Sequence, residues 1–136
     1  MRAVLDPNVL ISALLSPSGA PARVVLAWQQ GRLELIVSDE LLGELERALG
    51  YPKLRRRIAP DEAAEIVAWL QRSARVAPDV RDPPSRSADP GDDYLIALAE
   101  RERAALVSGD RDVLALAAEL PVFSPSAFLD WLDQQV

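Results

Sequence analysis

The chain has 136 residues, 49% of them apolar, with 21 acidic against 15 basic side chains and a formal net charge of −6. That length and composition suit one globular domain with a proper core, and the acidic balance argues against broad electrostatic adhesion to nucleic acid. There is no cysteine and no histidine, which removes disulfides, thiolate chemistry, histidine-based triads and the usual zinc sites.

In chain order, Ala3–Leu5 reads as a short buried strand. Asp6–Pro7 follows it, and Val9–Leu15 has helical spacing up to the breaker stretch Ser16–Gly19. Pro21 suits a first helical turn, so Ala22–Gln30 reads as a helix stopped by Gly31. Leu33–Val37 is the second strand candidate. Ser38 is placed to cap a helix running to about Leu49, with Gly50–Pro52 ending it. Asp61–Ser73 repeats apolar residues at helical spacing, and Ala74–Ala77 is a third strand candidate. Pro78–Gly91 is polar and proline-rich, so it reads as a loop. Asp92–Arg103 reads as a helix, Ala104–Val107 as a strand, Val113–Leu120 as a short helix, Pro121–Phe123 as a last strand and Pro125–Gln135 as a last helix. Trp28, Trp69 and Trp131 fall on apolar helical faces and read as packing residues. No stretch is apolar and long enough to span a bilayer. Met1 opens directly into a strand-like run without a leader pattern, so a cytoplasmic protein with no membrane partner is expected.

Strands alternating with helices imply a parallel sheet covered on both faces. Ligands of such sheets gather at the carboxyl ends of the strands, which makes the acids there informative. Asp6 follows the first strand directly, Asp110 follows the fourth after one tight turn, and Asp92 and Asp93 open the helix that leads into that fourth strand. Glu44 and Glu46 flank the apolar stripe of the helix after Ser38, and periodicity does not choose between them. Each acid alone has an ordinary explanation as a cap or a solvated helix residue. Several carboxylates on one edge repel each other and call for a cation, and an all-oxygen site suits Mg²⁺ or Mn²⁺.

The stretches "VLDPNVLISALL", "SDELLGELERAL", "DPGDDYLIALA", "LVSGDRDVLAL" and "FSPSAFLDWL" resemble, in that order and spacing, the PIN-domain ribonucleases, of the sort found as VapC-like toxins of toxin–antitoxin pairs. The resemblance covers almost the whole chain. It implies a single PIN-like domain over residues 1–136, a three-layer α/β/α fold with a central parallel sheet of four to five strands. It implies a Mg²⁺- or Mn²⁺-dependent endoribonuclease acting on single-stranded RNA, an antitoxin protein as partner, and room for a homodimer. Residue by residue, it carries the catalytic, metal-holding acids onto Asp6, Glu44, Asp93 and Asp110, choosing Glu44 over Glu46. Asp112 resembles a further acid near the metal. Asn8 matches the polar partner in the first motif, Ser108 stands where the family often has threonine, and Asp89 and Asp92 flank the third motif in supporting positions. Pro7 departs from the family, which usually has threonine there. Proline holds the residue before it in extended geometry and fits a first helical turn, so Asp6 is expected at a strand-to-helix turn. Lys53, Arg55, Arg56 and Arg57, with Arg111 beside Asp110, are the candidates for phosphate contacts; a solvated charge run is the plain alternative.

Three rival readings bear on the same acids. A phosphoacceptor signalling domain also places acids at strand ends, but it needs a lysine at the end of its last strand, and Lys53 is the sole lysine. A haloacid-dehalogenase-like phosphatase lacks its lysine in the same way and has Asn8 where its first motif wants a second aspartate. A non-catalytic PIN-like interaction module is the remaining alternative.

Overall fold

The computed structural model describes residues 1–135. Its five strands are β1 (Arg2–Leu5), β2 (Glu34–Val37), β3 (Arg75–Val76), β4 (Ala105–Val107) and β5 (Val122–Phe123), and all four pairings are parallel in the order β3-β2-β1-β4-β5. The central strand is β1, with Val4 opposite both Ile36 and Leu106. Its residues Ala3, Val4 and Leu5 are fully buried, which is why the run is apolar at every position: helices cover both faces.

The helices are α1 (Pro7–Leu15), α2 (Ala20–Gln29), α3 (Asp39–Leu49), α4 (Pro52–Arg55), α5 (Pro60–Ser73), α6 (Asp93–Arg101), α7 (Arg111–Leu114) and α8 (Pro125–Asp133). The connections from β1 to β2 and from β2 to β3 step one way along the sheet, whereas the return from β3 to β4 passes back over two strands. Right-handed crossovers therefore put α6 on the face opposite α1–α3 and α5, and α6 packs on β1 and β4 while α2 packs on α1 and α8. The expected α/β architecture is what forms, with the larger of the two expected strand counts. The direction of winding reverses between β1 and β4, so a crevice opens at the carboxyl ends of those two strands.

The local differences from the sequence reading have simple causes. Pro7 takes the first helical position, so α1 starts two residues earlier than its apolar spacing suggests. Pro52 ends nothing; it opens one further turn, α4, in the role proline plays at a helix start. The expected helix Val113–Leu120 becomes α7, which begins earlier because Asp110 caps it, followed by turns to Glu119. The edge strands β3 and β5 are two residues each, short as exposed edges usually are. The tryptophans pack: Trp28 and Trp69 rings lie 5.0 Å apart, and Trp131 stacks on Phe123 at 5.2 Å.

The loop from Pro78 to Asp89 has no helix or strand, but it is tied down. Asp79 accepts a hydrogen bond from the Glu40 backbone N–H at 3.0 Å, adding to the Ser38 cap on α3, and Arg101 donates to the Pro78 carbonyl.

Candidate active site

Asp6 is the last residue before α1 and is 4% exposed. Its ψ of 139° is the extended conformation that a following proline enforces. Its backbone N–H still pairs with the Val107 carbonyl of β4 at 3.0 Å, so the residue is anchored to the sheet. One carboxylate oxygen accepts from the Asn8 backbone N–H at 3.0 Å and the other from the Ser108 hydroxyl at 2.9 Å. Ser108 Oγ in turn accepts the Asp110 backbone N–H at 3.0 Å. A fully buried hydroxyl thus links the acid after β1 to the loop after β4. Asp110 caps α7 by accepting the Asp112 N–H at 2.8 Å. Burial pushes the Asp6 carboxyl above its ordinary range, the bonds from Asn8 and Ser108 pull against that, and the charge of Asp110 adds to the rise.

Asp92 closes a single 3₁₀ turn, Pro90–Asp92, whose opening Asp89 caps through Gly91 N–H at 2.9 Å. Its Oδ2 is shut off from solvent and has no hydrogen-bond partner among the described residues. The Asp92 carboxyl is pushed up to about 7, first by burial and then by the charges of Asp110, Asp89, Asp6 and Glu44. These four charges come from the end of β1, the loop after β4, α3 and the turn before α6. Glu44 is half-buried on α3, and Tyr94 on α6 donates its hydroxyl to Glu44 Oε2. Burial first, and then Glu44, push the Tyr94 phenol well above its ordinary range, so it stays a donor. Glu46 is exposed, whereas Glu44 is among the charges that raise Asp92. Spacing left these two glutamates equivalent; their surroundings separate them.

The two adjacent aspartates at the start of α6 meet different surroundings. Asp93 is only 5% exposed, but its carboxylate is used elsewhere: Oδ1 accepts the backbone N–H groups of Arg86 and Ser87 at 3.0 and 2.9 Å. These bonds, Ser87 first, hold its carboxyl below the ordinary range. Arg86 also pairs with Glu100 further along α6, so Asp93 and Glu100 together fasten the loop to that helix. Asp93 thus anchors the loop, and Asp92 is the aspartate that meets the charges of the other acids. Sequence reasoning had Asp92 only as a supporting residue and missed Tyr94. The one available hint was that two adjacent aspartates on one helix turn must diverge in direction.

The remaining candidates stand further out. Asp112 and Arg111 are exposed on α7, and the Asp112 backbone N–H is bonded to Asp110. Asn8 is exposed, and with Ser12, Gly109 and Asp110 it lines a cleft beside Asp6. Arg57 donates to the Leu15 carbonyl at 3.3 Å, capping the far end of α1. The nine residues of α1 put that point about 13 Å along the axis from the Asp6 end, so the Arg57 guanidinium is held away from Asp6, while Lys53, Arg55 and Arg56 are exposed.

As the side chains stand, no three acids among the described residues are placed closely enough to hold one ion together. The donor chemistry nonetheless fits a hard divalent cation, which takes carboxylate oxygens. The specific observation is Asp92: a carboxylate with a sequestered, unpartnered oxygen, crowded by four other acids. Such a group is relieved either by a proton or by a cation.

Comparisons with known proteins agree with the fold. The PIN domain family profile matches residues 2–112. The uncharacterized protein MJ1680 of Methanocaldococcus jannaschii is 26% identical over 121 residues, 88% of this chain and 77% of that protein. Among solved structures, PAE2754 from Pyrobaculum aerophilum is similar with a TM-score of 0.62 at 20% identity, over 98% of this chain and 90% of that one. FitAcB from Neisseria gonorrhoeae is similar with a TM-score of 0.55 at 21% identity, over 91% and 98% respectively. A domain of a functionally unknown Methanocaldococcus jannaschii protein gives 0.54 at 15% identity, over 90% and 89%. With a family match over most of its length, a parallel five-stranded sheet and acids at the winding reversal, the chain belongs to the PIN domain family, a nuclease superfamily.

Proposed function

We propose that this chain is a metal-dependent endoribonuclease that cleaves single-stranded RNA with Asp6, Glu44, Asp92 and Asp110. The observation that carries the reading is the sequestered, unpartnered Oδ2 of Asp92 at the carboxyl edge of the sheet, where the charges of Asp110, Asp6 and Glu44 also act on it. Mg²⁺ or Mn²⁺ bound there would neutralise phosphate charge and lower the pKa of an attacking water. Asp6 is held by the backbone of Asn8 and by Ser108, so it offers a carboxylate of fixed direction. Asp110 is held by the helix it caps. Asp92 keeps a free oxygen on the buried side. The net negative charge of the chain is then no obstacle, because a bound cation inverts the local field for an anionic substrate.

The resemblance to VapC-like toxins extends the proposal: residues 1–136 act as a single domain in the cytoplasm, restrained by an antitoxin that brings a basic side chain to the acidic crevice. Charge complementarity of that kind favours fast and specific association. A neighbouring short reading frame, co-expressed, is expected to co-purify and to suppress the nuclease.

The direct test incubates labelled single-stranded RNA with the protein and Mg²⁺ or Mn²⁺, with chelator and with Asp6→Asn as controls. Cleavage that needs the metal and falls by orders of magnitude in Asp6→Asn is expected. A folded wild-type protein that binds Mn²⁺ and leaves RNA intact would return the chain to the interaction-module reading.

A further inference from the structure

Glu44 differs from the other acids of the group in how it can be held. Asp6 and Asp110 stand at helix starts, where unpaired backbone N–H groups are available, and Asn8 and Asp112 supply them. Glu44 lies in the second turn of α3, where each N–H is already bonded to a carbonyl one turn back. It must be fixed by a side chain, and the hydrogen bond it makes comes from another element. Tyr94 is that side chain. Its ring is buried, 6% exposed, and its hydroxyl reaches across 50 residues of sequence to Glu44 Oε2. Tyr94 is also two residues beyond Asp92, so the bond fastens the acid of α3 to the helix start that presents the most crowded carboxylate.

We infer that Tyr94 is a positioning residue, whose hydroxyl holds Glu44 of α3 in the group formed by Asp6, Asp92 and Asp110. The consequence for metal and RNA rests on the nuclease reading, whereas the contact itself does not. A glutamate reaches its target through three freely rotating side-chain bonds, and a donor on one oxygen removes that freedom while leaving lone pairs on the other. Donors behind a ligating carboxylate act in this way, and their loss weakens metal binding.

The test uses the full chain with Tyr94→Phe, which keeps the buried ring and removes only the hydroxyl. Binding of Mn²⁺ alone is measured by calorimetry, and unfolding of the metal-free protein is measured in a double-mutant cycle with Glu44→Gln. Tyr94→Phe is expected to fold and to weaken Mn²⁺ binding about tenfold. The double variant is expected to bind no more weakly than Glu44→Gln alone. Unchanged Mn²⁺ affinity in Tyr94→Phe would assign the hydroxyl a purely structural role and overturn the inference. If the wild-type protein binds no Mn²⁺, the nuclease reading fails by itself. The unfolding cycle then decides the contact: coupled effects of the two substitutions keep it, and simply additive effects overturn it.

Discussion

Asp92 and Asp93 are neighbours with the same charge at the start of the same helix, yet their surroundings are opposite. Asp93 turns toward the loop before α6, where two backbone N–H groups meet it and its carboxyl is held low. Asp92 turns toward the winding reversal of the sheet, where it meets burial, four other acids and no donor for Oδ2, and its carboxyl is raised to about 7. The ionised form is what the fold stabilises at Asp93 and what it penalises at Asp92. A carboxylate with its donors in place is structural. One deprived of donors and crowded by like charge is poised to take up a cation or a proton.

The largest expected consequence is in catalysis. Asp92→Asn should reduce metal-dependent RNA cleavage by more than about a hundredfold, since even the partners behind metal ligands are worth tens of fold. Asp93→Asn should retain most activity per folded molecule. Cleavage rates corrected for folded fraction check this, and the reverse ranking would invert the comparison.

Next in size is the opposite effect on stability. Asp93→Asn weakens the charge-assisted acceptance of two N–H groups and releases the loop, so thermal unfolding of the metal-free protein should move down by several degrees. Asp92→Asn relieves repulsion and should leave the midpoint unchanged or raise it. Calorimetric scans of the two variants with chelator present decide the matter.

A subtler version of the same contrast lies in the pH dependence. A carboxyl raised from 3.8 to about 7 on folding binds more protons in the folded state across that window. Its contribution to stability therefore declines as pH rises from about 4 to 7. Asp93, held below 3.8, binds fewer protons folded. Its contribution is present above about 4 and is lost as pH falls through its lowered value. Chemical unfolding of the metal-free protein from pH 3 to 8 should show Asp92→Asn flattening the neutral limb and Asp93→Asn flattening the acid limb.

The smallest expected effects come from positions outside the contrast. Glu46→Gln, exposed on the far side of the α3 stripe, should change cleavage and stability little. Pro7→Thr replaces one residue suited to a helix start by another and should retain or raise activity, because Asp6 keeps its bonds to Asn8 and Ser108. A folded, metal-binding but inactive Pro7→Thr protein would show that proline at this turn does more than hold Asp6 extended.

Much of this molecule is local and therefore written in the chain. The apolar triplets Ala3–Leu5, Leu35–Val37 and Ala105–Val107 mark strands because the covered sheet demands apolar residues at every position. Proline and capping residues mark most helix starts, and a strand followed by Asp6–Pro7 has few conformations open to it. Fold class, parallel sheet and the edge carrying the acids follow from such signals. Helix starts shifted where one signal has two meanings, as at Pro52, which can end one helix or open the next, and where a proline or capping aspartate begins the helix ahead of its apolar spacing, as at Pro7 and Asp110.

The site needed the tertiary structure because its distinctions are distinctions of direction and company. Asp92 and Asp93 are one residue apart, and which of them meets the acids depends on where the loop 78–89 crosses α6. Glu44 and Glu46 border one apolar stripe, and a tyrosine from another helix singles out Glu44. The basic run Lys53–Arg57 reads either as a phosphate grip or as a solvated charge run, and only the tertiary structure shows Arg57 tied to the far end of α1. A sequence specifies which groups carry charge; which charges share a low-dielectric pocket, and which find donors instead, is decided only when distant elements are brought within a few ångströms of one another.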